Sequence, residues 1–265
     1  MQHDIAINGR RLIDASIPFD GETYCFDADA FEAAIRPGTK LFILCNPHNP
    51  TGNVWSRDEL LAMADICARH GVLVVSDEAH QDFVFAEYQH TSFGVLGDDA
   101  MNNAIICTAP SKTFNVAGLQ CANIFISNSR LRGDYRRQRE RCGLNHLNTL
   151  GMVACETAYR ECESWADAMT VYVRENREYL NREITERRLP VRVVPSGSLY
   201  LAWLDFRALK MPAPELNDLL LRKARLWLDP GLKFGEAGRG SMRINLGCPR
   251  VTVEEAVGRL SDALA

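Results

Sequence analysis

Three polar side chains of different chemistry follow three successive apolar runs of the sequence. Asn49 follows the first run, Asp77 the second and Lys112 the third. If these runs are parallel strands, their carboxyl ends meet at one edge of a sheet, and the three side chains share a crevice. An amine, a carboxylate and an amide in one crevice are the groups that a pyridoxal phosphate site requires. The amine forms a Schiff base with the cofactor, the carboxylate keeps the pyridine nitrogen protonated, and the amide binds the ring oxygen O3′. Any one of them alone is more often a solvated surface group.

The elements that must position these side chains alternate in type along the first two thirds of the chain. Between the apolar runs lie amphipathic stretches, one of which begins with a capping box made by Ser56 and Glu59. This alternation predicts βαβ units, and hence an α/β fold with a mainly parallel sheet flanked by helices. The predicted strands are Lys40–Cys45, Val72–Val75, Ala104–Cys107 and Cys121–Ser127.

The last third of the chain has a different pattern, which predicts a smaller α+β domain at the C-terminus. A long helical stretch over residues 145–188 leads into it, and a second capping box, Thr252 with Glu255, predicts the start of the final helix. We therefore predict two domains, residues 1–168 and 169–265. The elements expected in the second are strands at Val191–Val194, Ser198–Leu204 and Ser241–Leu246 and a helix at Glu215–Arg225.

Four motifs, in their order and spacing, resemble the fold-type I pyridoxal-phosphate enzymes of the class I and II aminotransferase family. They are Asn-Pro-His-Asn-Pro-Thr-Gly (46–52), Ser-Asp-Glu-Ala-His (76–80), Pro-Ser-Lys-Thr-Phe-Asn-Val-Ala-Gly-Leu (110–119) and Met-Arg-Ile-Asn-Leu-Gly-Cys-Pro-Arg (242–250). Within that family the motifs are most similar to the MalY/PatB branch, the cystathionine and cysteine β-lyases. The resemblance implies that residues 1–168 form the C-terminal portion of the cofactor-binding large domain.

The resemblance also implies a role for individual residues. Lys112 would form the Schiff base with pyridoxal 5′-phosphate and move the substrate Cα proton, and Asp77 would pair with the pyridinium nitrogen. Two residues would bind ring O3′, Asn49 and, in the place where relatives often have a tyrosine, His80. The remaining roles are Ser111 near the cofactor phosphate and Arg243 on the α-carboxylate of a small amino-acid substrate, a group that a planar guanidinium binds well.

Three functions stay open at this point. The first is a carbon–sulfur β-lyase that releases pyruvate, ammonia and a thiol, and the second is an aminotransferase with the same site residues. The third is an inactive fragment, because family members carry, before the region of Asn8-Gly9-Arg10, a segment that cups the phosphate and stacks on the ring. We therefore expect an N-terminally truncated member. The resemblance further predicts a homodimer, since the family builds each site from two subunits.

Composition excludes other classes of partner. Thirty Lys and Arg against 34 Asp and Glu give a net charge of −4, which does not favour nucleic acid or an anionic membrane. The basic stretch Arg132–Arg141 is typical of a solvated helix face. Apolar runs are too short for a membrane span, and no secretory signal is visible. The nine cysteines, an odd number without any C-x-x-C pair, predict a cytoplasmic protein with reduced thiols and no metal site.

Overall fold

The structure of the protein is a computed structural model that describes residues 2–144 and 146–265. Asn145, where the predicted long helical stretch begins, lies outside the described residues. The α-helices are α1 (Gln2–Ile7), α2 (Ala28–Ala34), α3 (Arg57–Arg69), α4 (Asp98–Asn102), α5 (Ser129–Arg141), α6 (Thr149–Glu161), α7 (Glu163–Glu186), α8 (Ala213–Asp218) and α9 (Arg250–Leu264). The strands are β1 (Leu41–Cys45), β2 (Leu73–Asp77), β3 (Ala104–Thr108), β4 (Asn123–Phe125), β5 (Arg192–Val193), β6 (Leu201–Asp205), β7 (Asp229–Pro230) and β8 (Ser241–Asn245).

The first sheet has the strand order β1-β2-β3-β4 and carries the first three motifs. Strands β1, β2 and β3 run parallel, and β4 pairs with β3 in the antiparallel direction. Asp77 at the end of β2 lies opposite Cys45 on one side and Cys107 on the other, so the three strands end together. The prediction of a mainly parallel sheet flanked by helices is confirmed.

Helix α3 covers one face of this sheet, as its apolar spacing predicts. Its start is fixed by the predicted capping box: the Ser56 side chain accepts from the Glu59 N–H, and the Glu59 carboxylate accepts from the Ser56 N–H at 2.7 Å. Leu60, Met63 and Cys67, spaced three and four residues apart, are buried against the core of the sheet. Burying each large apolar side chain contributes about 1.5–3 kcal/mol, which holds the helix on the sheet.

The second sheet has the strand order β5-β6-β8-β7, and all its pairs are antiparallel. Helices α7 and α9 pack on it through side chains such as Leu180 and Val257, which share one buried core with Leu204 of β6. The smaller α+β unit at the C-terminus is thus confirmed as an architecture. The predicted boundary between residues 168 and 169 falls inside α7, and the division into two domains stays a prediction.

Two of the predicted helix boundaries in this unit need correction. Helix α9 begins at Arg250, directly after Pro249, and Thr252 therefore lies inside its first turn, so the predicted capping box is wrong. The fixed φ of Pro249 starts the helix earlier than the Thr252 side chain would. The predicted helix Glu215–Arg225 is α8 followed by a π-helical turn, Leu219–Lys223. No helix within the described ranges is long and apolar enough to cross a membrane.

A close approach of two glycines supports the turn between β7 and β8. A Cβ on Gly231 would lie 1.9 Å from the Gly238 carbonyl oxygen, and a Cβ on Gly238 would lie 2.2 Å from the Gly231 carbonyl oxygen. Neither backbone segment can accept a side chain without moving.

We expect Gly231→Ala to lower the free energy of unfolding by about 2–3 kcal/mol, because the new methyl group overpacks a backbone contact. Gly258→Ala in α9 is the matched control: its Cβ would meet nothing within 4 Å, and it should stabilise the helix by about 0.5–1 kcal/mol. Urea unfolding of both variants measures the difference. Equal stability of the two would show that the contact between residues 231 and 238 is not tight.

Candidate active site

Asp77 is the last residue of β2, the central one of the three parallel strands, so its carboxylate lies at the carboxyl edge of the sheet. Its Oδ1 accepts a hydrogen bond from the Ala79 N–H at 3.2 Å, which turns the chain sharply after β2. The side chain is half-buried. The position predicted from the apolar runs is the position observed.

The loop of residues 46–52 folds back over this edge and carries Asn49. The Asn46 N–H donates to the Asp77 carbonyl oxygen at 2.9 Å, and the Asn46 side chain donates to the Thr91 carbonyl oxygen at 2.9 Å. The Asn49 N–H donates to the Cys45 sulfur at 3.4 Å. Peptide bonds 46–47 and 49–50 are both cis. The loop is thereby fixed to β1 and β2, and the side chain of Asn49 projects toward the second sheet.

Arg243 of β8 meets Asn49 from the second sheet. Its Nη1 donates to the Asn49 Oδ1 at 2.8 Å, its Nη2 donates to the Asp229 Oδ2 at 2.5 Å, and its guanidinium lies 4.7 Å from the centre of the Phe234 ring. Burial raises the pKa of Asp229, but hydrogen bonds from Lys233 and Arg243 outweigh it, and the net pKa lies below the usual range. Asp229 is thus ionised beside the arginine at neutral pH.

Lys112 lies in the turn after β3, with Ser111 before it. The turn is anchored by Thr113, whose buried hydroxyl donates to the Asp82 Oδ2 at 2.7 Å, and by the Val116 N–H, which donates to the Ser111 carbonyl oxygen at 3.1 Å. Lys112 itself is exposed and Ser111 is half-buried. The anchored turn therefore presents an accessible amine at the same edge as Asp77.

His80 is the buried member of the site. Only 7% of the residue is exposed, and its Nδ1 is buried without a hydrogen-bond partner within the described part of the chain. Burial lowers the pKa of His80 to about 4, and the positive charges of Lys112 and Arg243 act in the same direction. Its ring centre lies 5.6 Å from that of Tyr200. The imidazole is therefore neutral at neutral pH, and it lies close enough to Lys112 and Arg243 for their positive charges to disfavour its protonation.

Glu78, in the same motif, has a structural role instead. It is fully buried, and its Oε1 accepts from the Ser76 hydroxyl at 2.8 Å and the Phe93 N–H at 2.9 Å, while its Oε2 lies 3.3 Å from the His90 Nε2. Burial raises the pKa of Glu78, but these hydrogen bonds outweigh it and the net pKa is lowered. The carboxylate that is free to act at the edge is Asp77.

The structure brings the predicted residues into two linked groups. Asn49 and Arg243 touch directly, and His80 lies within the electrostatic reach of both Lys112 and Arg243. Sequence reasoning did not identify Asp229, Phe234 or Tyr200. A local signal for them was lacking, because each joins the site through strand pairing or packing across the second sheet.

These residues fit a cofactor with an aldehyde, a ring nitrogen and a phenolic oxygen. The exposed residue Lys112 offers an amine for covalent attachment, and Asp77 supplies a carboxylate. The buried Nδ1 of His80 has no hydrogen-bond partner among the described residues and could serve a ligand. Among residues 2–144 and 146–265, no group of three or more His, Cys, Asp or Glu side chains is arranged so that it could bind a metal ion.

Comparisons with known proteins agree on the family. The model of the family "aminotransferase class I and II" matches residues 2–260. Cystathionine β-lyase PatB of Bacillus subtilis is 37% identical over 264 residues, which cover 99% of this chain and 68% of that protein. Protein MalY of Escherichia coli is 35% identical over 259 residues, 97% of this chain and 66% of that protein.

A solved structure is similar over nearly the whole chain. Cystalysin from Treponema denticola, whose structure contains a pyridoxal 5′-phosphate cofactor, superposes with a TM-score of 0.96 at 33% identity and covers 99% of this chain and 67% of that chain. The chain thus spans about two thirds of the length of the relatives it matches.

Burial of His80 predicts a pH dependence of stability. The folded pKa of about 4 lies below the ordinary value of about 6.5, so between these values the unfolded chain binds a proton that the folded chain does not. Stability should therefore fall as the pH drops through this window, by up to about 3 kcal/mol from this residue. We expect His80→Gln to reduce the loss of melting temperature between pH 7 and pH 4.5.

The matched control is His146→Gln, which changes an exposed histidine and should keep the wild-type loss. The comparison uses the difference between the two pH values within each variant, so a uniform change in stability from the substitution itself cancels. If His80→Gln and His146→Gln show the same loss, the buried imidazole does not set the acid sensitivity.

Proposed function

Because the chain belongs to the class I and II aminotransferase family, we propose that its candidate active site holds pyridoxal phosphate and performs carbon–sulfur β-elimination on cystathionine- or cysteine-type amino acids. One observation carries the proposal: Asn49, Asp77 and Lys112 stand at the ends of β1, β2 and β3 at one edge of the sheet. The names of the relatives, cystathionine β-lyase and cystalysin, support the reaction class.

In the proposed site, three residues hold the ring of the cofactor. Asp77 would accept a hydrogen bond from the pyridine nitrogen of the cofactor, and its negative charge would keep that nitrogen protonated. Asn49 and the neutral His80 bind the ring oxygen O3′. Ser111, in the turn beside the lysine, contributes a hydroxyl to the phosphate. When bound, pyridoxal phosphate supplies an electron sink for the charge that develops at the substrate Cα.

Lys112 and Arg243 act on the cofactor aldehyde and the substrate. The Lys112 amine would be the point of covalent attachment for the cofactor, and as a free amine it would take the proton from the substrate Cα. Arg243 binds the substrate α-carboxylate and fixes the orientation of the Cα–H bond relative to the lysine. The stacking of Arg243 on Phe234 and its ion pair with Asp229 support that orientation.

The outcome of proton removal depends on the substrate. If the Cβ carries a sulfur leaving group, the Cα–H and Cβ–S bonds break, the sulfur leaves as a thiol, and addition of water to the remaining fragment yields pyruvate and ammonia. If no leaving group is present, the same site residues would instead support transfer of the amino group to a 2-oxo acid. An aminotransferase is therefore the alternative function, and a chain that binds no cofactor is the second alternative.

Cofactor attachment is the first step to test. We expect the purified chain with added pyridoxal phosphate to develop a visible absorption band that borohydride removes, with the reduced cofactor recovered on the peptide that contains Lys112. Lys112→Ala should lose both signals. Lys223→Ala, which changes an exposed lysine after α8, should keep both. Absence of the band in the wild-type chain would contradict cofactor binding by this chain.

The reaction class is then measured on the cofactor-loaded protein. β-Elimination predicts pyruvate from cystathionine without any added 2-oxo acid, and Lys112→Ala should lower its rate by at least about 100-fold because the general base is missing. Amino-group transfer that depends on a 2-oxo acid, with no pyruvate from cystathionine, would favour the aminotransferase instead.

We further propose that the chain forms a homodimer in the cytoplasm. Large apolar side chains are exposed on α6 and α7, among them Leu150 at 69%, Val153 at 58% and Trp165 at 49%. A second copy would cover such a face, which is unusual for a surface in contact with water. All nine cysteines are free thiols, which supports a reducing compartment.

We also propose that the chain consists of two domains, residues 1–168 and 169–265.

The oligomeric state is measured by light scattering coupled to size-exclusion chromatography. We expect the wild-type chain to elute with twice the monomer mass, and Val153→Glu to shift it toward the monomer, since a buried carboxylate in the interface would lack a partner. Val251→Glu, at an equally exposed apolar position on α9, should leave the dimer intact. A wild-type monomer at the concentrations used for activity would contradict the proposal.

A further inference from the structure

Two thiols that the proposed reaction does not use lie side by side behind the Lys112 turn. Cys121 follows the 3-10 turn Ala117–Leu119 and precedes β4, while Cys155 lies in α6, one helical turn after Gly151 on the same face. A Cβ on Gly151 would lie 3.4 Å from the Cys121 Cβ. Burial and then the neighbouring Cys155 thiol raise the pKa of the Cys121 thiol. The helix face that carries Cys155 therefore packs directly against Cys121.

The side chain of Asn123 links Cys155 to the end of β3. Its Nδ2 lies 3.8 Å from the Cys155 sulfur and 3.4 Å from the Thr108 hydroxyl oxygen at the end of β3. Cys121 and Cys155 are both partly exposed, so a small oxidant can reach them, unlike the buried Cys67. The arrangement joins two elements that are distant in sequence, β4 and α6.

We propose that Cys121 and Cys155 are a redox modification site that forms a reversible intramolecular disulfide in the presence of a peroxide. One thiolate attacks the peroxide oxygen, which gives a sulfenic acid and one water from hydrogen peroxide. The second thiol then displaces the hydroxyl as water and forms the S–S bond. The two thiols lose two electrons in total, and the peroxide is reduced to two molecules of water.

The disulfide would tie α6 to the strand that follows the Lys112 turn. Strand β4 pairs with β3, and Lys112 follows the end of β3. Phe114, two residues after Lys112, also stacks on Trp165 of α7 with ring centres 5.9 Å apart. The bond would therefore add a covalent link to a region that already fixes this turn by packing.

Peptide mapping tests the proposal on the chain carrying Cys142→Ser, because trypsin leaves Cys142 and Cys155 together on residues 142–160. After treatment with hydrogen peroxide and alkylation of free thiols, we expect residues 113–130 and 142–160 to be joined, with the mass of two hydrogen atoms lost. Dithiothreitol should separate them. Full alkylation of both cysteines after peroxide, or a link from either of them to another cysteine, would overturn the proposal.

Thermal unfolding provides a second readout that does not depend on cofactor or activity. Oxidation should raise the melting temperature of the wild-type chain by several degrees, because the bond closes a loop of roughly 35 residues in the unfolded state. Cys121→Ser and Cys155→Ser should lack this shift, while Cys142→Ser should keep it. A shift that survives in Cys155→Ser would overturn the assignment of the pair.

Discussion

The carbonyl oxygen of Gly52 holds the two sheets together at the candidate active site. It accepts hydrogen bonds from the Ser198 hydroxyl at 2.9 Å and the Gly197 N–H at 3.1 Å. Gly52 has φ +76°, and a Cβ there would lie 2.5 Å from the Ser196 Cβ, so only glycine fits. The loop of residues 46–52 is thereby held against the second sheet, and Asn49 reaches Arg243, 194 positions later in the chain.

A second contact fixes the other side of the same cleft. The Leu199 N–H donates to the Phe83 carbonyl oxygen at 2.9 Å, and Val84 and Ser198 form an isolated antiparallel bridge. Leu199 takes a φ of +76°, which costs a side-chain-bearing residue about 1–2 kcal/mol, and it is fully buried. The ring of the next residue, Tyr200, lies with its centre 5.6 Å from that of His80. Residues 196–200 thus contact both sides of the site: they bind the loop that carries Asn49, and they place Tyr200 beside His80.

The sequence predicts those parts of the site that depend on local pattern. Asp77 and Lys112 could be placed because each follows a short apolar run, and the ends of neighbouring parallel strands must meet. The β7–β8 pairing could not be predicted in the same way, since β7 has only two residues and its register, Asp229 opposite Arg243, is a long-range property. The start of α9 was misplaced for a related reason: two competing helix-start signals, Pro249 and Thr252, lie three residues apart, and the proline prevails.

The environment of Arg243 explains how a cationic residue can be held ready in a partly buried cleft. Its side chain is 16% exposed, and removing a guanidinium from water is costly unless its charge and N–H groups have partners. Asp229 supplies the charge and Asn49 the second acceptor, while the Nε–H is buried without a partner among the described residues. Phe234 restricts the plane of the guanidinium from one face. The rotamer is therefore set before any ligand arrives, so that in the proposed role a substrate carboxylate would bind without the entropic cost of ordering this side chain. A lysine at this position could not reproduce the arrangement, because a single ammonium cannot direct separate, coplanar N–H groups at Asn49, Asp229 and a carboxylate.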